Sequence, residues 1–354
     1  MDSESSNDHL TEPYNMVALF EKVRVMVESE FAVKEGFVEH GVPTFHVRLR
    51  EDSKEAFLRL TSHLNPLGLM PLLRRREEKI VLQTIPKPPT RPSRKVINVA
   101  LFLATVGTVL FAGLGNLRSP DVPGAVMFVG AIMAILGSHE MGHKLLADKH
   151  EVEATYPYFI PGPPPIGTFG AVIQQKSLPP NRDALFDIGC TGPVMGFIVT
   201  VVVSLIGVQL SVRVPEAPEG AWFIPVPLLF RFFTIVFPPS GTGDIIMLHP
   251  VAFAAWVGMI VTMLNLVPTG MFDGGHVARS MVGRRAHQIL SYLGIILLLI
   301  IWYPMAIVAL FFSMYRHPGP LDDVSKITTR RKLSALILIG IFVLCAPYPP
   351  IFSL

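Results

Sequence analysis

The sequence predicts an α-helical polytopic membrane protein of about six to eight membrane segments, with a small N-terminal α/β domain in the cytosol. Half of its 354 residues are hydrophobic and only 16% are charged, a composition outside that of ordinary soluble domains. Several apolar runs approach the ~20 residues that cross a bilayer. We therefore divide the chain into a cytosolic domain, residues 1–92, and a membrane-embedded domain, residues 93–354.

The first domain is charged and mixes two periodicities. Helical patterns occur in NMVALFEKVRVMVES and SKEAFLRLTSHL, while TFHVRLR and KIVLQTI are typical of strands. The linker PKPPTRPSRK marks the end of this domain, since it is rich in proline and arginine. The acidic N-terminus does not have the basic and then apolar start of a signal peptide, so we expect the first membrane span to be an uncleaved internal one.

Six apolar runs of the second domain are predicted to enter the membrane. They lie at residues 96–115, 122–147, 185–210, 250–268, 287–315 and 333–351. Pro304 interrupts the fifth run, which is long enough to be two short spans. A further apolar stretch, residues 221–239, is broken by prolines and Arg231, and we interpret it as re-entrant or interfacial.

Clusters of lysine and arginine indicate the orientation of these spans. They precede the first span, flank the loop at about 148–184, and recur near 279–285 and 316–332. All of them fall on one side if 287–315 crosses twice and 221–239 does not cross. This predicts a multi-pass protein of the cell membrane with a cytosolic N-terminus.

The segment HEMGH lies at the end of the second apolar run. His139 and His143 are four residues apart, so on a helix they share a face and can bind one Zn²⁺. Glu140 is placed to take a proton from metal-bound water. Ordinary polar groups at a helix end are the alternative. A buried polar group in a membrane helix costs about 2–3 kcal/mol, however, and this favours a functional site.

A catalytic zinc ion needs a third protein ligand. The metzincin pattern fails because positions 146 and 149 hold Leu and Lys. Glu151 and Glu153 follow the helix too closely to fold back comfortably. The better candidate is Asp273 in NLVPTGMFDGGH, residues 265–276, where a proline ends the helix and glycines permit a sharp turn. A helix-capping or turn aspartate is the alternative interpretation.

Together, HEMGH and NLVPTGMFDGGH resemble the motifs of the site-2 protease family of intramembrane zinc metalloproteases. The second family motif reads N-x-x-P-x-x-x-x-D-G, usually with Leu before the Asp, where this chain has Phe. The resemblance implies a zinc ion held by His139, His143 and Asp273. It further implies Glu140 as the catalytic acid and base, and Asn265 as a polar group near the substrate carbonyl or oxyanion.

Three further segments are similar to one branch of that family, the branch with the plant ethylene-dependent gravitropism-deficient and yellow-green-like proteases. These segments are GNLR, IGTFGAVIQQKS and HPVAFAAWVGMIVTMLN, and the resemblance covers about residues 96–330. It implies an endopeptidase that acts in regulated intramembrane proteolysis on membrane proteins with a single transmembrane helix. Plant members reside in plastids, but the acidic N-terminus here favours a prokaryotic cell membrane.

Other function classes fit the sequence less well. A polytopic transporter or metal-handling protein would show internal repeats or ionisable residues in several spans, and neither is evident. An inactive protease-like scaffold is disfavoured because Glu140 and the three proposed ligands are present. Nucleic acid is not an expected partner, since the net charge is only +3 and no basic tract contains aromatic residues. Cys190 and Cys345 lie in apolar segments and predict no disulfide framework.

Three smaller features of the sequence allow further predictions. The segment TFGAVIQQ can offer an edge strand to an unwound substrate, or can be a plain structural hairpin. Gly189, Gly192 and Gly196 are predicted to let membrane helices approach closely. His249 and His276 border apolar segments and could join the metal ligands, but for both we favour a structural role or a role in supporting the ligands.

Overall fold

The computed structural model describes residues 13–90, 92, 94–115, 121–218, 220–221, 223–301, 303–314 and 317–348. Contacts within the chain define two compact units. The first unit is the chain up to Arg91 together with two later segments, 178–182 and 319–326, and the second unit is the remainder. These two segments were not expected in the first unit, because each lies next to an apolar helix in the sequence.

The first unit is an antiparallel sheet, in the order β1-β2-β4-β3, with two helices. Its elements are α1 (Pro13–Glu30), β1 (Ala32–Glu39), β2 (Val42–Arg48), α2 (Ser53–Leu64), β3 (Leu69–Arg76) and β4 (Lys79–Pro86). Inward residues of the strands, such as Phe45 and Leu82, pack with Phe57 and Leu60 of α2 in one core. Sequence patterns predicted α1, α2, β2 and β4. They missed β1 and β3, because charges interrupt AVKEGFVE and a proline and three arginines occur in LMPLLRRR.

The two later segments extend this sheet beyond β3. Leu73 donates its backbone N–H to the Leu321 carbonyl at 3.0 Å, and Asp323 donates to the Leu73 carbonyl at 3.2 Å. Leu321 in turn donates to the Pro179 carbonyl at 2.8 Å. The edge of β3 is therefore covered by chain from elsewhere in the sequence, which protects it from unwanted strand pairing.

The second unit is mostly helical. Its helices are α3 (Lys95–Gly115), α4 (Val122–Lys149), α5 (Arg182–Leu210), α6 (Leu228–Val236), α7 (Pro250–Asn265), α8 (Asp273–Met281), α9 (Arg284–Ile301), α10 (Tyr303–Met314) and α11 (Thr329–Cys345). Its strands are β5 (Tyr158–Pro161), β6 (Thr168–Val172), β7 (Val212–Val214), β8 (Val226–Pro227), β9 (Ser240–Gly241), β10 (Ile245–Met247) and β11 (Pro347–Tyr348). They form a β5–β6 hairpin, a three-stranded sheet in the order β10-β7-β9, and a β11–β8 pair.

Four helices of the described residues, α3, α4, α5 and α9, are long and apolar enough to cross a membrane. This confirms a mostly helical chain with candidate membrane helices and a small N-terminal sheet region. The count of six to eight segments stays a prediction, since α7, α10 and α11 have only 16, 12 and 17 residues. Within the stretch at 221–239, α6 has nine residues, or about 14 Å, too short to cross a ~30 Å core.

Small residues let the central helices of the second unit pack closely. A Cβ at Gly207 of α5 would meet the backbone of Ala252 in α7, and one at Gly258 of α7 would lie 2.8 Å from the Thr200 hydroxyl of α5. Close backbone approach of this kind is how membrane helices gain packing energy without a hydrophobic driving force. It fixes α7, and the turn that follows α7, against α5.

Candidate metal centre

The helix α4 carries three polar side chains into the interior of the second unit. His139, Glu140 and His143 are only 4%, 7% and 6% exposed. The helix runs for 28 residues from Val122, so both histidines lie near its C-terminal end, on one face. Buried polar groups require partners, so neighbouring residues must supply them.

The turn between α7 and α8 brings Asp273 to this helix. The helix α7 ends at Asn265, three residues before the predicted limit of 268, because a proline at 268 has no N–H to continue the ladder and restricts the residue before it. Gly270 adopts a left-handed conformation with φ of +50°. A Cβ at Gly274 would overlap the Leu266 carbonyl, so the chain can fold back on itself here only with glycine.

Helix α9 holds the turn in place. The Thr269 hydroxyl donates to the Ser291 carbonyl at 2.9 Å, and the Gly270 N–H donates to the Ser291 hydroxyl at 3.1 Å. All three residues are buried, and the second bond satisfies the Gly270 N–H, a backbone group that the turn leaves without a helical partner. Asp273 then begins α8 directly beyond this support.

The carboxylate of Asp273 meets both histidines. Its Oδ2 lies 3.1 Å from His139 Nε2, and its Oδ1 lies 3.2 Å from His143 Nε2. Ligands held about 2.0–2.1 Å from a tetrahedral zinc ion stand about 3.3 Å apart, so these spacings fit one zinc ion between the three groups. Glu140 offers an oxygen within 4.8 Å of a ligand atom of each histidine.

A backbone carbonyl of α5 orients His143. Its Nδ1–H donates to the Ile188 carbonyl at 2.7 Å, and we assign the tautomer from this bond. Nε2 then keeps its lone pair for a metal ion, in the arrangement usual for metal-binding histidines.

Glycines of α5 leave room for the imidazoles. A Cβ at Gly192 would overlap the His143 ring, and one at Gly196 would lie 3.0 Å from His139 Nδ1. A Cβ at Gly189 would lie 2.8 Å from the Cβ of His276. The sequence predicted that these glycines allow close helix packing, and the structure adds that Gly192 and Gly196 face the imidazoles of the site.

Two further contacts concern the proposed catalytic groups. The Asn265 Nδ2 lies 3.4 Å from His139 Nε2, at the end of α7. The Glu140 carboxylate accepts a hydrogen bond from the backbone N–H of Ile173, the residue after β6. Sequence reasoning missed the Ile173 N–H and the Ile188 carbonyl, because a backbone group leaves no residue-specific signal.

The two other histidines noted in the sequence have structural partners. His249 caps α7, where its Nδ1 accepts the Val251 N–H at 3.2 Å. His276 Nδ1 lies 2.8 Å from His317 Nε2, and burial lowers the pKa of both imidazoles. This neutral pair holds α8 to the loop before α11. His317 was not noted from the sequence, since a single histidine before a proline carries no pattern.

The sequence also matches the profile of a known protein family over the segment that carries this site. The profile of Peptidase family M50 matches residues 127–301, a range that holds the two histidines, Glu140, Asn265 and Asp273. The chain is therefore similar to peptidase family M50 over just under half of its length. This confirms the resemblance to the site-2 proteases. No solved structure matches the chain.

Relatives of this chain include plant proteins of the predicted branch. "Probable zinc metalloprotease EGY1, chloroplastic" of Arabidopsis thaliana is 27% identical over 75% of the chain and 55% of its own length. "Probable zinc metalloprotease EGY2, chloroplastic" of Oryza sativa subsp. indica is 26% identical over 86% of the chain and 61% of its own length. The chain thus spans little more than half of these relatives. Because they are named as chloroplastic, the prokaryotic cell membrane stays a prediction.

Proposed function

We propose that the chain is a zinc metalloendopeptidase that cleaves peptide bonds within transmembrane segments of other membrane proteins. The observation that carries this proposal is the meeting of Asp273 with His139 and His143, at 3.1 and 3.2 Å, beside the buried Glu140. Helix α4, which bears three of these groups, is apolar and long enough to span a bilayer. The names of the plant relatives support the same chemistry.

The donor set of His139, His143 and Asp273 fits zinc, since two imidazole nitrogens and one carboxylate are ligands that zinc prefers. When bound, zinc polarises a carbonyl and lowers the pKa of a coordinated water. The Asp273 carboxylate, which is 15% exposed and lies beside both imidazoles, would offset part of the charge of the ion. The Ile188 carbonyl keeps His143 in the tautomer that can bind the ion.

Glu140 is the proposed general base and acid. It accepts a proton from the attacking water and returns it to the leaving amine. The Ile173 N–H holds one face of its carboxylate, which orients the group. The amide of Asn265, beside His139, can donate to the substrate carbonyl oxygen as negative charge develops there.

The strand β6 is the proposed docking edge for the substrate. Among the described strands, β6 pairs only with β5, so its other edge has no strand partner. An unwound peptide laid along this edge reaches Glu140 through the Ile173 end of the strand. Substrate helices with Gly, Pro or Asn near the cut should be preferred, since their backbones unwind more easily. Proline at Ala171 or at Ile173 should reduce cleavage, and unchanged cleavage in both variants would rule out docking on β6.

The proposed orientation keeps the N-terminus and the loop at about 148–184 in the cytosol. It is supported by the basic residues at that end of the helices and by the positive-inside rule. A single transmembrane helix is the proposed form of the substrate, and regulated intramembrane proteolysis the proposed context.

The test is a cleavage assay in reconstituted membranes, with a transmembrane-helix reporter and a measurement of bound zinc. Glu140→Gln should retain zinc and lose about 100-fold or more in cleavage rate, the usual contribution of general acid and base catalysis. Glu151→Gln is the matched control, because Glu151 is exposed just after α4, and it should cleave like the unmodified protein. Unchanged cleavage by Glu140→Gln would overturn the proposed role of Glu140.

A further inference from the structure

An open groove of about 720 Å³ lies in the second unit, at the end of the membrane helices where α4 ends and α5 and α11 begin. Three basic side chains line it, Lys149 of α4 and Arg330 and Arg331 of α11, against the single carboxylate of Asp187. None of these residues belongs to the metal centre. The groove takes no part in the proposed zinc chemistry.

The charges of the groove do not cancel. Arg331 is already engaged, because its Nε and Nη2 each lie 2.6 Å from an Asp187 oxygen and its Nη1 lies 3.1 Å from Asp183. Lys149 and Arg330 are exposed, and neither forms an ion pair with a described residue. Two positive charges therefore remain available to an anion that enters the groove.

The start of α11 adds hydrogen-bond donors to the same groove. No side chain caps this 17-residue helix, and the Thr328 hydroxyl accepts a bond from Arg331 instead. Thr329 and Arg330 are the first helical residues, so their N–H groups have no partner within the helix. These donors and the positive end of the helix dipole suit a phosphate oxygen.

We propose that this groove binds a phosphate group, and that its source is the headgroup of an anionic phospholipid. The candidate span α4 ends at this groove and the candidate span α5 begins there, so a bilayer that both helices cross would put the groove at the depth of lipid headgroups. Basic pockets between membrane helices bind such headgroups by charge and hydrogen bonding. The inference rests on the placement of α4 and α5 in a membrane and is independent of peptidase activity.

Lipid binding to the full chain in a neutral detergent tests this proposal, with bound lipids counted by native mass spectrometry. Phosphatidylglycerol should bind saturably to the unmodified protein, and phosphatidylcholine much more weakly. The double variant Lys149→Gln with Arg330→Gln should weaken phosphatidylglycerol binding about tenfold or more. The matched control is Arg284→Gln with Arg285→Gln, which removes equal charge from exposed residues at the start of α9, outside the groove, and should bind normally.

Several outcomes would overturn the proposal. Equal losses in the two double variants would indicate a general surface-charge effect, and equal binding of the two lipids would exclude an anion site. Competition with inorganic phosphate distinguishes a lipid headgroup from free phosphate as the ligand of the groove. Displacement of lipid by phosphate supports a phosphate site in the groove, whereas binding of free phosphate without any binding of phosphatidylglycerol would overturn the lipid assignment. The charge-conserving variant Lys149→Arg with Arg330→Lys should restore binding, which separates lost charge from lost folding.

Discussion

Two regions of the second unit present the proposed zinc ligands by different means. Helix α4 is regular, and its four-residue repeat alone puts His139 and His143 on one face. The turn from Asn265 to Asp273 is irregular, and it depends on left-handed Gly270, on Gly274 and on hydrogen bonds to α9. A helix positions ligands by periodicity, whereas a turn needs support from its neighbours. The two arrangements should therefore be sensitive to different changes in their surroundings.

The largest effect is expected from removing the ligand that only the turn supplies. Asp273→Ala should weaken zinc binding by more than about 100-fold, beyond the usual effect of losing an outer partner of a ligand, and should abolish cleavage. Bound zinc is measured after dialysis against a weak chelator. Asp148→Ala, which removes an exposed carboxylate near the end of α4, should keep its zinc. Full zinc content in Asp273→Ala would show that α4 binds the ion without the turn.

The next largest effect concerns the space that α5 leaves beside α4. Gly192→Ala should lower zinc affinity about tenfold or more, because its methyl group overlaps the His143 ring and overpacking costs about 1–3 kcal/mol. Titration with a zinc-sensitive dye gives the affinity. Gly130→Ala in α4 meets nothing within 4 Å and serves as the control. Normal zinc affinity in Gly192→Ala would mean that α4 positions its ligands without α5.

Gly274→Ala tests the turn in the same way. Its methyl group would meet the Leu266 carbonyl, which belongs to the backbone and cannot rotate away. We expect zinc affinity to fall about tenfold, by the same overpacking cost, together with a lower thermal midpoint. Gly283→Ala, two residues after α8, has open space and should change neither quantity. A normal midpoint and normal zinc affinity in Gly274→Ala would contradict the dependence of the turn on glycine.

The smallest effect is expected at the support from α9. Ser291→Ala leaves the buried N–H of Gly270 without its acceptor, which should cost about 1–3 kcal/mol of unfolding free energy. Zinc affinity should change only a few-fold. Ser204→Ala is matched, because within the described residues that buried hydroxyl bonds only to the Thr200 carbonyl of its own helix. If the two serine variants are equally stable, the turn does not depend on α9.

The same contrast explains how far the sequence predicts the site. The limits of α4 were predicted as 122–147 and are Val122–Lys149, since periodicity and composition extend over the whole helix. Asp273 was chosen because a proline ends the apolar run before it and glycines permit a sharp turn there. The predicted end of α7 lies three residues too late, because the apolar run continues through Leu266 and Val267 into the turn. Hydrophobicity does not distinguish a buried helix from a buried turn.

Other contacts could not be predicted from residue types. The Ile188 carbonyl and the Ile173 N–H act through the backbone, so any residue there would supply them. Ser291 reaches the turn from another helix, and a serine in an apolar helix is an ordinary occurrence. Glycines 192 and 196 were noticed, but only the structure relates them to particular imidazoles.

The covered edge of β3 has a consequence for how the protein is made. The Arg74 side chain donates to the Leu321 carbonyl at 2.7 Å, across 247 positions of sequence. The sheet of the first unit therefore stays incomplete during synthesis until almost the whole chain has left the ribosome. Contacts so distant in sequence form slowly, because a long loop must close first. We expect hydrogen exchange at β3 to be fast in a nascent or truncated chain and slow only once residues 319–326 are present.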